Sequence, residues 1–459
     1  MTRKKSATAA AAQPSTTVDK RAATVETRAG YSAPATAADV CDTDPAAVTA
    51  ERAQQLIDAA VTPLAEVETV ATRAALGRVA AADVISGAPV PNHTNAAMDG
   101  YALAARDLPA RGGKKFRVIG VSMAGKPYQN QGNESDKLGP GQCVRIMTGA
   151  VMPAGADSVV AQERVARDGD HITVPAGESP RGNVRQAGED FAAGAVAITA
   201  GRRLAASHLG LAASLGFAEL RVFRRPRVAF FSTGDELRAL GTPLREGELY
   251  DSNRYTLYGM LSELGVDLLD FGIVADDAEA VRAAFLRGAE CADVVVTSAG
   301  ASVGDADFVR QTLAAIGRAA FTKVAIKPGR PLAFGAFHAP ANRLFFALPG
   351  NPVSVMVTFQ IFVAPALRKL AGEAAAAPLR LRATTVSALK KRPGRAEYQR
   401  GILFADAGAG GALTVRSTGQ QGSGILRSMG EANCFIVLPT DSPGAAAGDE
   451  VEVQLFSSP

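Results

Sequence analysis

Arg227-Val228-Ala229-Phe230-Phe231-Ser232-Thr233-Gly234-Asp235-Glu236 reads as a short apolar strand running directly into a turn of small residues and two acids. The same grammar returns twice. Asp293–Thr297 opens into Ser298-Ala299-Gly300-Ala301-Ser302-Val303-Gly304-Asp305, and Leu344–Leu348 leads into Pro349-Gly350-Asn351-Pro352. Between them lie helical patterns: one capped by Asp251 or Ser252 and closing at Gly265, one over 277–288, and one ending near Gly317. A long apolar helix follows Pro352 to about Leu370. Val266–Val274, Phe321–Ile326 and Leu332–Phe334 complete the strands. Strands alternating with helices of roughly 10–15 residues predict an α/β domain with a doubly wound, mostly parallel sheet. The strand-to-glycine junctions then fall on its carboxyl edge, where such sheets take ligands.

Outward from this segment the texture changes. Ala53, Leu56, Ile57 and Ala60 form a helical stripe, and residues 66–90 read as a short helix followed by an extended segment. From 91 to 186, short alternating runs such as Phe116–Val121 and Cys143–Met147 are broken by Gly, Pro and Asn, which predicts a small β-rich domain. Residues 203–216 read as a helix closing at Gly216. After Gly372 an alanine-rich linker leads to a second β domain. The expected organisation is a disordered tail over 1–45, a segmented linking domain (46–90 and 187–222), an inserted β-rich domain (91–186), the α/β domain (223–375) and a C-terminal β domain (376–459).

Composition narrows the function classes. A formal charge of +4 on 459 residues is too small for a dedicated nucleic-acid binder. No window approaches the ~18 uninterrupted apolar residues of a membrane span. The four cysteines Cys41, Cys143, Cys291 and Cys434 stand far apart without a CxxC pair, which fits a reducing cytoplasm rather than a zinc site or disulfide framework.

On the sheet edge, Ser232–Glu236, Ser298–Asp305 and Pro349–Pro352 offer backbone N–H groups that an anion can approach without a Cβ in the way. Each alone is explained by an ordinary βα turn; three on one edge point to a phosphate-bearing ligand. Neither GxxxxGK[ST] nor a strand-linked GxGxxG occurs. Asp235, Glu236, Asp276, Asp277, Asp305 and Asp307 share the edge. They suit Mg²⁺ bridging carboxylates and phosphate; helix capping is the alternative for Asp276, Asp277 and Asp305, and for Asp277 and Asp305 it explains the residue equally well. Lys323, Lys327 and Arg330 crowd one strand and turn, as an oxyanion site or as solvated surface charge.

Six motifs in order carry a resemblance: Ala97-Met98-Asp99-Gly100-Tyr101-Ala102, Arg145–Ala150, Phe231–Leu237, Ser302-Val303-Gly304-Asp305, Ile326-Lys327-Pro328-Gly329 and Leu348–Ser354. Over roughly residues 46–457 the chain resembles the MoeA family, related to the E domain of gephyrin. Ala299 and Phe308 depart from the commoner Gly and Tyr, and Arg330 stands where Lys is commoner.

The resemblance implies a four-domain homodimer whose C-terminal domain is a β barrel. It implies insertion of molybdate into adenylylated molybdopterin with Mg²⁺ and release of AMP. Also implied as partners are the molybdopterin adenylyltransferase and molybdoenzyme chaperones, with no nucleic acid and no membrane. By motif matching, Asp99, Thr148, Asp190, Glu236, Asp276 and Asp307 are the functional positions. Ser232, Thr233, Gly234, Ser302, Gly304, Lys323, Lys327, Arg330, Pro349, Gly350, Pro352, Arg400 and Ser423 would contact substrate. Asp235, Glu236 and Asp276 would hold Mg²⁺, and Asp99 and Thr148 would face the partner subunit. Molybdate is a tetrahedral dianion, for which Lys327, Arg330, Arg400 and the Ser423 hydroxyl form a donor set. Two other readings share the α/β domain: a molybdopterin adenylyltransferase, and a non-catalytic scaffold or cofactor-delivery protein.

Overall fold

The computed structural model describes residues 40–41, 44–129, 137–298 and 308–456. Its centre is a six-stranded sheet: β1 (Arg227–Thr233), β2 (Asp267–Val274), β3 (Val294–Ser298), β4 (Gly317–Lys323), β5 (Pro331–Phe337) and β6 (Leu344–Leu348). The strand order is β2-β1-β3-β6-β5-β4. The first four in that order run parallel, while β5 and β4 pair antiparallel at one edge.

Helices α1 (Ser252–Leu264), α2 (Ala278–Cys291), α3 (Phe308–Ile316) and α4 (Pro352–Leu370) cover both faces. Alternation along β1 decides which residue meets which layer. Val228 and Phe230 join Leu257 and Leu261 of α1 and Val355 and Phe362 of α4. Ala229 and Phe231 face the other way, toward Phe285 of α2 and Leu313 of α3. Phe231 and Phe285 meet edge to face at 5.2 Å. Among the described residues α4 alone is long and apolar enough to cross a membrane, yet most of it is buried against this sheet.

Local signals account for the helix ends. Asp251 caps α1 by accepting from Arg254 N at 3.1 Å, and Gly265 closes it in the left-handed region at φ 70°. Asp277 caps α2, its Oδ1 accepting from Glu279 N and Ala280 N at 3.0 and 2.9 Å. The helix Ala50–Ala60 lays Ala53, Leu56 and Ile57 on the same core as α1 and α4, so it packs as an outer layer of the α/β unit.

The helix expected after residue 66 is instead a strand, Val67–Ala71, with only a 3₁₀ turn at Thr72–Ala75. It pairs antiparallel with Glu219–Phe223, and that distant partner supplies ladder hydrogen bonds that local propensity does not reveal. Between these segments is inserted a second six-stranded sheet, which includes Gly100–Leu103, Gln142–Ile146 and Ser158–Ala161. Gly100 is required there because a Cβ would stand 2.2 Å from the Val160 carbonyl oxygen.

The C-terminal strands β7 (Arg380–Thr385), β8 (Ala396–Asp406), β9 (Ala412–Ser417), β10 (Cys434–Leu438) and β11 (Glu450–Leu455) close as β8-β9-β7-β11-β10-β8, a small barrel. Ala383, Val415, Ile436 and Val453 fill it. The short strand Ile326–Lys327 of the α/β unit extends this barrel, pairing parallel with Ala396 and Glu397.

Where the linking segment enters the α/β domain, Asp293 is 3% exposed. It accepts from Arg224 Nη1 at 2.9 Å, Arg343 Nη1 at 2.7 Å and Arg227 N at 2.8 Å. Burial alone would raise this carboxyl; the two guanidiniums and the N–H outweigh it and hold it below the usual carboxylate range. Its stabilising contribution is therefore full at neutral pH and lost as the pH falls through the depressed folded value. Asp293→Ala removes the shared acceptor of Arg224, Arg343 and the Arg227 N–H, leaving Arg224 with Glu66 at 3.6 Å, and we expect it to cost about 3–5 kcal/mol and to lower the thermal midpoint at pH 7. The midpoint difference from wild type shrinks as the pH falls below about 3.9. Equal midpoints at pH 7 would refute the role given to this junction.

Candidate functional site at the sheet edge and barrel junction

The helix following β1 (α1) packs on one face of the sheet and the helix following β3 (α3) on the other, so the adjacent strands β1 and β3 form a switch point with a crevice at their carboxyl ends. The residues at that crevice are polar and paired. Ser232 Oγ donates to Asp251 Oδ1 at 3.0 Å and lies 2.9 Å from Ser298 Oγ. All three side chains are fully buried. Thr233 Oγ1 donates to Asp276 Oδ1 at 3.1 Å, orienting a half-buried carboxylate.

Asp235 and Glu236 are exposed, and the Glu236 carboxylate folds against Gly234, where a Cβ would stand 2.6 Å from Oε2. Asp277 serves as the α2 cap described above. On the neighbouring loop, Asn253 Nδ2 donates to the Gly350 carbonyl at 2.7 Å. The same side chain's Oδ1 is buried without a hydrogen-bond partner. Ser302, Gly304, Asp305 and Asp307 lie outside the described residues.

The cationic half comes from the turn joining β4 to β5. Gly329 sits at φ 111°, and a Cβ there would stand 2.5 Å from Thr358 Cγ2, so the turn packs on α4 only with glycine. Lys327 Nζ donates to Glu397 Oε1 at 3.0 Å, and Gln399 Nε2 reaches the same oxygen at 3.1 Å. Arg330 is half-buried beside it, and Lys323 ends β4. With Lys390, Lys391, Arg392 and Arg395 of the barrel, Lys327 and Arg330 line a cavity of about 680 Å³ in which Glu397 is the acid.

Arg400 is 1% exposed. Its Nε donates to Ser428 Oγ and its Nη2 to the Gly422 carbonyl, each at 3.0 Å, while its own N–H donates to Gln421 Oε1 at 2.8 Å. Burial pushes the guanidinium down to about 10. Arg400 thus organises loop 420–428, whose Ser423 carbonyl accepts from Val353 N at 3.1 Å. That bond joins the barrel loop to the first turn of α4, beside Pro349, Gly350 and Pro352. The structure therefore brings Ser232–Glu236, Asp276, the 349–352 loop, Lys327, Arg330, Arg400 and Ser423 to connected elements of one unit.

Asp99, Thr148 and Asp190 stand elsewhere. Asp99 Oδ1 accepts from Thr148 N at 2.8 Å and Thr148 Oγ1 at 2.7 Å, Thr148 being exposed and Asp99 half-buried. The Thr148 N–H, then its hydroxyl, holds the Asp99 carboxyl below the usual range. Among the described residues no hydrogen bond or ion pair connects Asp99, Thr148 or Asp190 to Ser232–Glu236. Sequence reasoning missed Glu397, Arg392 and Arg395, although the run Lys390-Lys391-Arg392-Pro393-Gly394-Arg395 was visible. It took Asp251 only as a cap, without its bond to Ser232.

Three family models match the chain. They are described as the MoeA N-terminal region (domain I and II) over residues 48–216, a probable molybdopterin binding domain over 229–369, and the MoeA C-terminal region (domain IV) over 382–456. A molybdopterin molybdenumtransferase of Haemophilus influenzae is 40% identical over 385 residues, which cover 83% of this chain and 92% of that protein. One from Nostoc is 35% identical, covering 84% and 88%. A gephyrin of Dictyostelium discoideum is 32% identical, covering 85% of this chain and 60% of its own length. Among solved structures, the molybdopterin biosynthesis MoeA protein of Pyrococcus horikoshii superposes with a TM-score of 0.75 at 27% identity, covering 89% of this chain and all of that one.

Arg400→Met keeps the length of the side chain while removing its charged hydrogen bonds to Ser428 Oγ and the Gly422 carbonyl, at a cost of about 1.5–3 kcal/mol for such a bond. We expect amide exchange over 420–428 to accelerate while the strands of the α/β sheet keep their protection. Wild-type exchange across that loop would show that Arg400 does not hold it.

Proposed function

The chain belongs to the MoeA family and is a transferase of molybdenum cofactor biosynthesis, and from that premise we propose that it inserts molybdate into adenylylated molybdopterin with release of AMP. The observation that carries the reading is the joining of two chemically opposite half-sites. A switch-point crevice suited to phosphate and nucleotide is tied to an oxyanion-binding barrel edge by the Ile326–Lys327 strand and the Val353–Ser423 hydrogen bond.

In this reading the small-residue turn after β1 and the 349–352 loop receive the adenylate phosphates. The orphaned Asn253 Oδ1 is an acceptor ready for a ligand N–H or O–H. Glu236 or Asp276 orients the oxygen that attacks the phosphate–phosphate link, Asp276 being held for this by Thr233. Lys323, Lys327, Arg330 and Ser423 offer donors to molybdate, and Arg400 fixes the loop that carries Ser423. The dithiolene sulfurs of molybdopterin are the nucleophiles toward molybdenum, so the protein contributes positioning and charge stabilisation.

No group of three or more acidic, His or Cys side chains able to hold a metal occurs among the described residues. Asp235, Glu236 and Asp276, the expected Mg²⁺ set, therefore do not close a three-carboxylate cage on their own, and substrate phosphates and water would have to complete the shell. Bound there, Mg²⁺ would neutralise charge on the phosphates.

We assign the protein a homodimeric state on two grounds. Asp99 and Thr148 belong to the inserted sheet and, among the described residues, make no hydrogen bond or ion pair to the crevice residues of their own chain, so a second copy is the source we propose for these groups. Leu240, Leu244, Leu249, Tyr255 and Tyr258 are exposed just beyond Glu236, giving apolar area for such a partner. A molybdopterin adenylyltransferase would supply the substrate, and molybdoenzyme chaperones would receive the product. A cytoplasmic location is part of this proposal, in keeping with the free thiols at Cys143, Cys291 and Cys434.

Purified protein mixed with adenylylated molybdopterin, Mg²⁺ and molybdate should release AMP. Asp99→Asn should lower the rate by at least about 100-fold, the scale of a lost electrostatic or acid–base group, without changing the oligomeric mass. No release above a protein-free control would overturn the enzyme reading. Tight binding of the adenylylated substrate without release would favour a scaffold.

A further inference from the structure

The segment ahead of the helix Ala50–Ala60 runs beside the connection that joins β4 to β5. Asp44–Val48 is a strand, and Val48 pairs with Val324 through a parallel bridge. The Val48 carbonyl accepts from Ala325 N at 2.7 Å. Ala47 and Ala325, each 2% exposed, pack on one another as a small buried cluster. Two methyl side chains let the backbones come this close, and a longer one at Ala47 would force them apart.

Ala325 is therefore held from both edges. Its N–H goes to the arm, and its carbonyl accepts from Ala396 N of the barrel at 3.1 Å. Ile326 and Lys327 continue along the barrel strand, and Val324 N donates to the Arg330 carbonyl at 2.9 Å, closing the turn. Barrel pairing alone ties one edge of this segment. The arm ties the other, so the backbone that carries the cations has its N–H and C=O groups committed in opposite directions.

The arm has a firm footing. Val48 lies in the α/β core with Leu56 and Ile57 of the helix that follows. Thr49 caps that helix, its hydroxyl oxygen accepting from Arg52 N at 3.1 Å. Beyond the helix Leu64 N donates to the Leu370 carbonyl at 2.9 Å, and Lys369 Nζ donates to Asp58 Oδ1 at 2.6 Å, both at the end of α4. Movement of the arm is opposed at both ends of its helix, and that constraint passes to Ala325.

We propose that residues 44–49 are a positioning strap, in which Ala47 and Val48 hold the segment 324–327 from the edge opposite the barrel and so preset the arrangement of Lys327 and Arg330. Donors fixed in advance bind an anion without the cost of ordering their turn on arrival. That this anion is molybdate rests on the function proposed above; the strap does not.

The test combines amide hydrogen exchange with equilibrium dialysis of molybdate and, separately, of AMP. Ala47→Leu lodges a bulkier apolar side chain against Ala325, and deletion of residues 2–48 removes the strap while keeping the Thr49 cap. Ala47→Ser and deletion of residues 2–39 are the controls that leave it in place. In the first pair we expect exchange over 324–327 to accelerate about tenfold, the scale of one lost backbone hydrogen bond, while β3 and β6 keep their protection. Molybdate affinity should fall by about the same factor and AMP affinity should not change. The controls should behave as wild type.

Wild-type exchange over 324–327 in both Ala47→Leu and the 2–48 deletion would overturn the strap. Faster exchange with unchanged molybdate affinity, or no molybdate binding by the wild type, would overturn its positioning role. So would an equal loss of molybdate and AMP affinity, which marks a general loosening. AMP release from adenylylated molybdopterin by the wild-type preparation separates the two claims. Release with none of these changes in the variants sinks the strap alone; the changes without release sink the catalytic reading alone.

Discussion

A parallel sheet must bury both of its faces, because the crossover helices leave no side open to water. In this protein that constraint decides where chemistry can occur. β1 gives Val228 and Phe230 to one helical layer and Ala229 and Phe231 to the other, so its side chains offer no open face. The polar residues are pushed to the strand ends. There Ser232, Ser298 and Asp251 are buried together and satisfy one another. With helices leaving on opposite faces from β1 and β3, the carboxyl edge becomes the place where a ligand meets backbone N–H groups, hydroxyls and acids at once.

The barrel depends on the same edge. The connection from β4 to β5 does more than reverse the chain: Ile326–Lys327 becomes a further strand on β8, and Gly329 lets the turn lie on Thr358 of α4. Two sheets therefore share one segment, and the cations on it are placed by backbone pairing, whose register is stricter than side-chain packing. Arg400 acts from the barrel side. Its guanidinium is spent on loop carbonyls and a hydroxyl, so its charge is used to hold loop 420–428 against the first turn of α4.

What was legible in the sequence was mostly local. Asp251, Asp277 and Gly265 announced helix ends because capping involves residues within one turn of each other. The apolar run Arg227–Phe231 announced a buried strand. The strand Val67–Ala71 was misread as helix because its partner, Glu219–Phe223, lies about 150 residues away along the chain. The partners of Arg400 and the pairing of Lys327 with Glu397 were equally invisible, since each depends on how the barrel closes. The ordered motifs gave the family but not which donors are open and which are already engaged. Arg400 and Lys327 look alike in sequence, yet one is buried among carbonyls and the other is half-exposed on a single carboxylate.

The charges on this edge are also sorted. Asp235, Glu236 and Asp276 follow β1 and β2, whereas Lys327, Arg330, Lys390, Arg392 and Arg395 gather at the barrel. Placed together they would neutralise one another, as Asp293 does with Arg224 and Arg343 at the domain junction, and leave a structural knot with no residual field. Their placement on different elements, the acids after β1 and β2 and the cations at the barrel, preserves two local potentials of opposite sign. Glu397 is the exception, an acid set among cations, and it is almost fully buried and oriented by Gln399. Its partner Lys327 has a side chain 49% exposed, so water and salt screen the pairing from that side while Gln399 fixes the carboxylate from within.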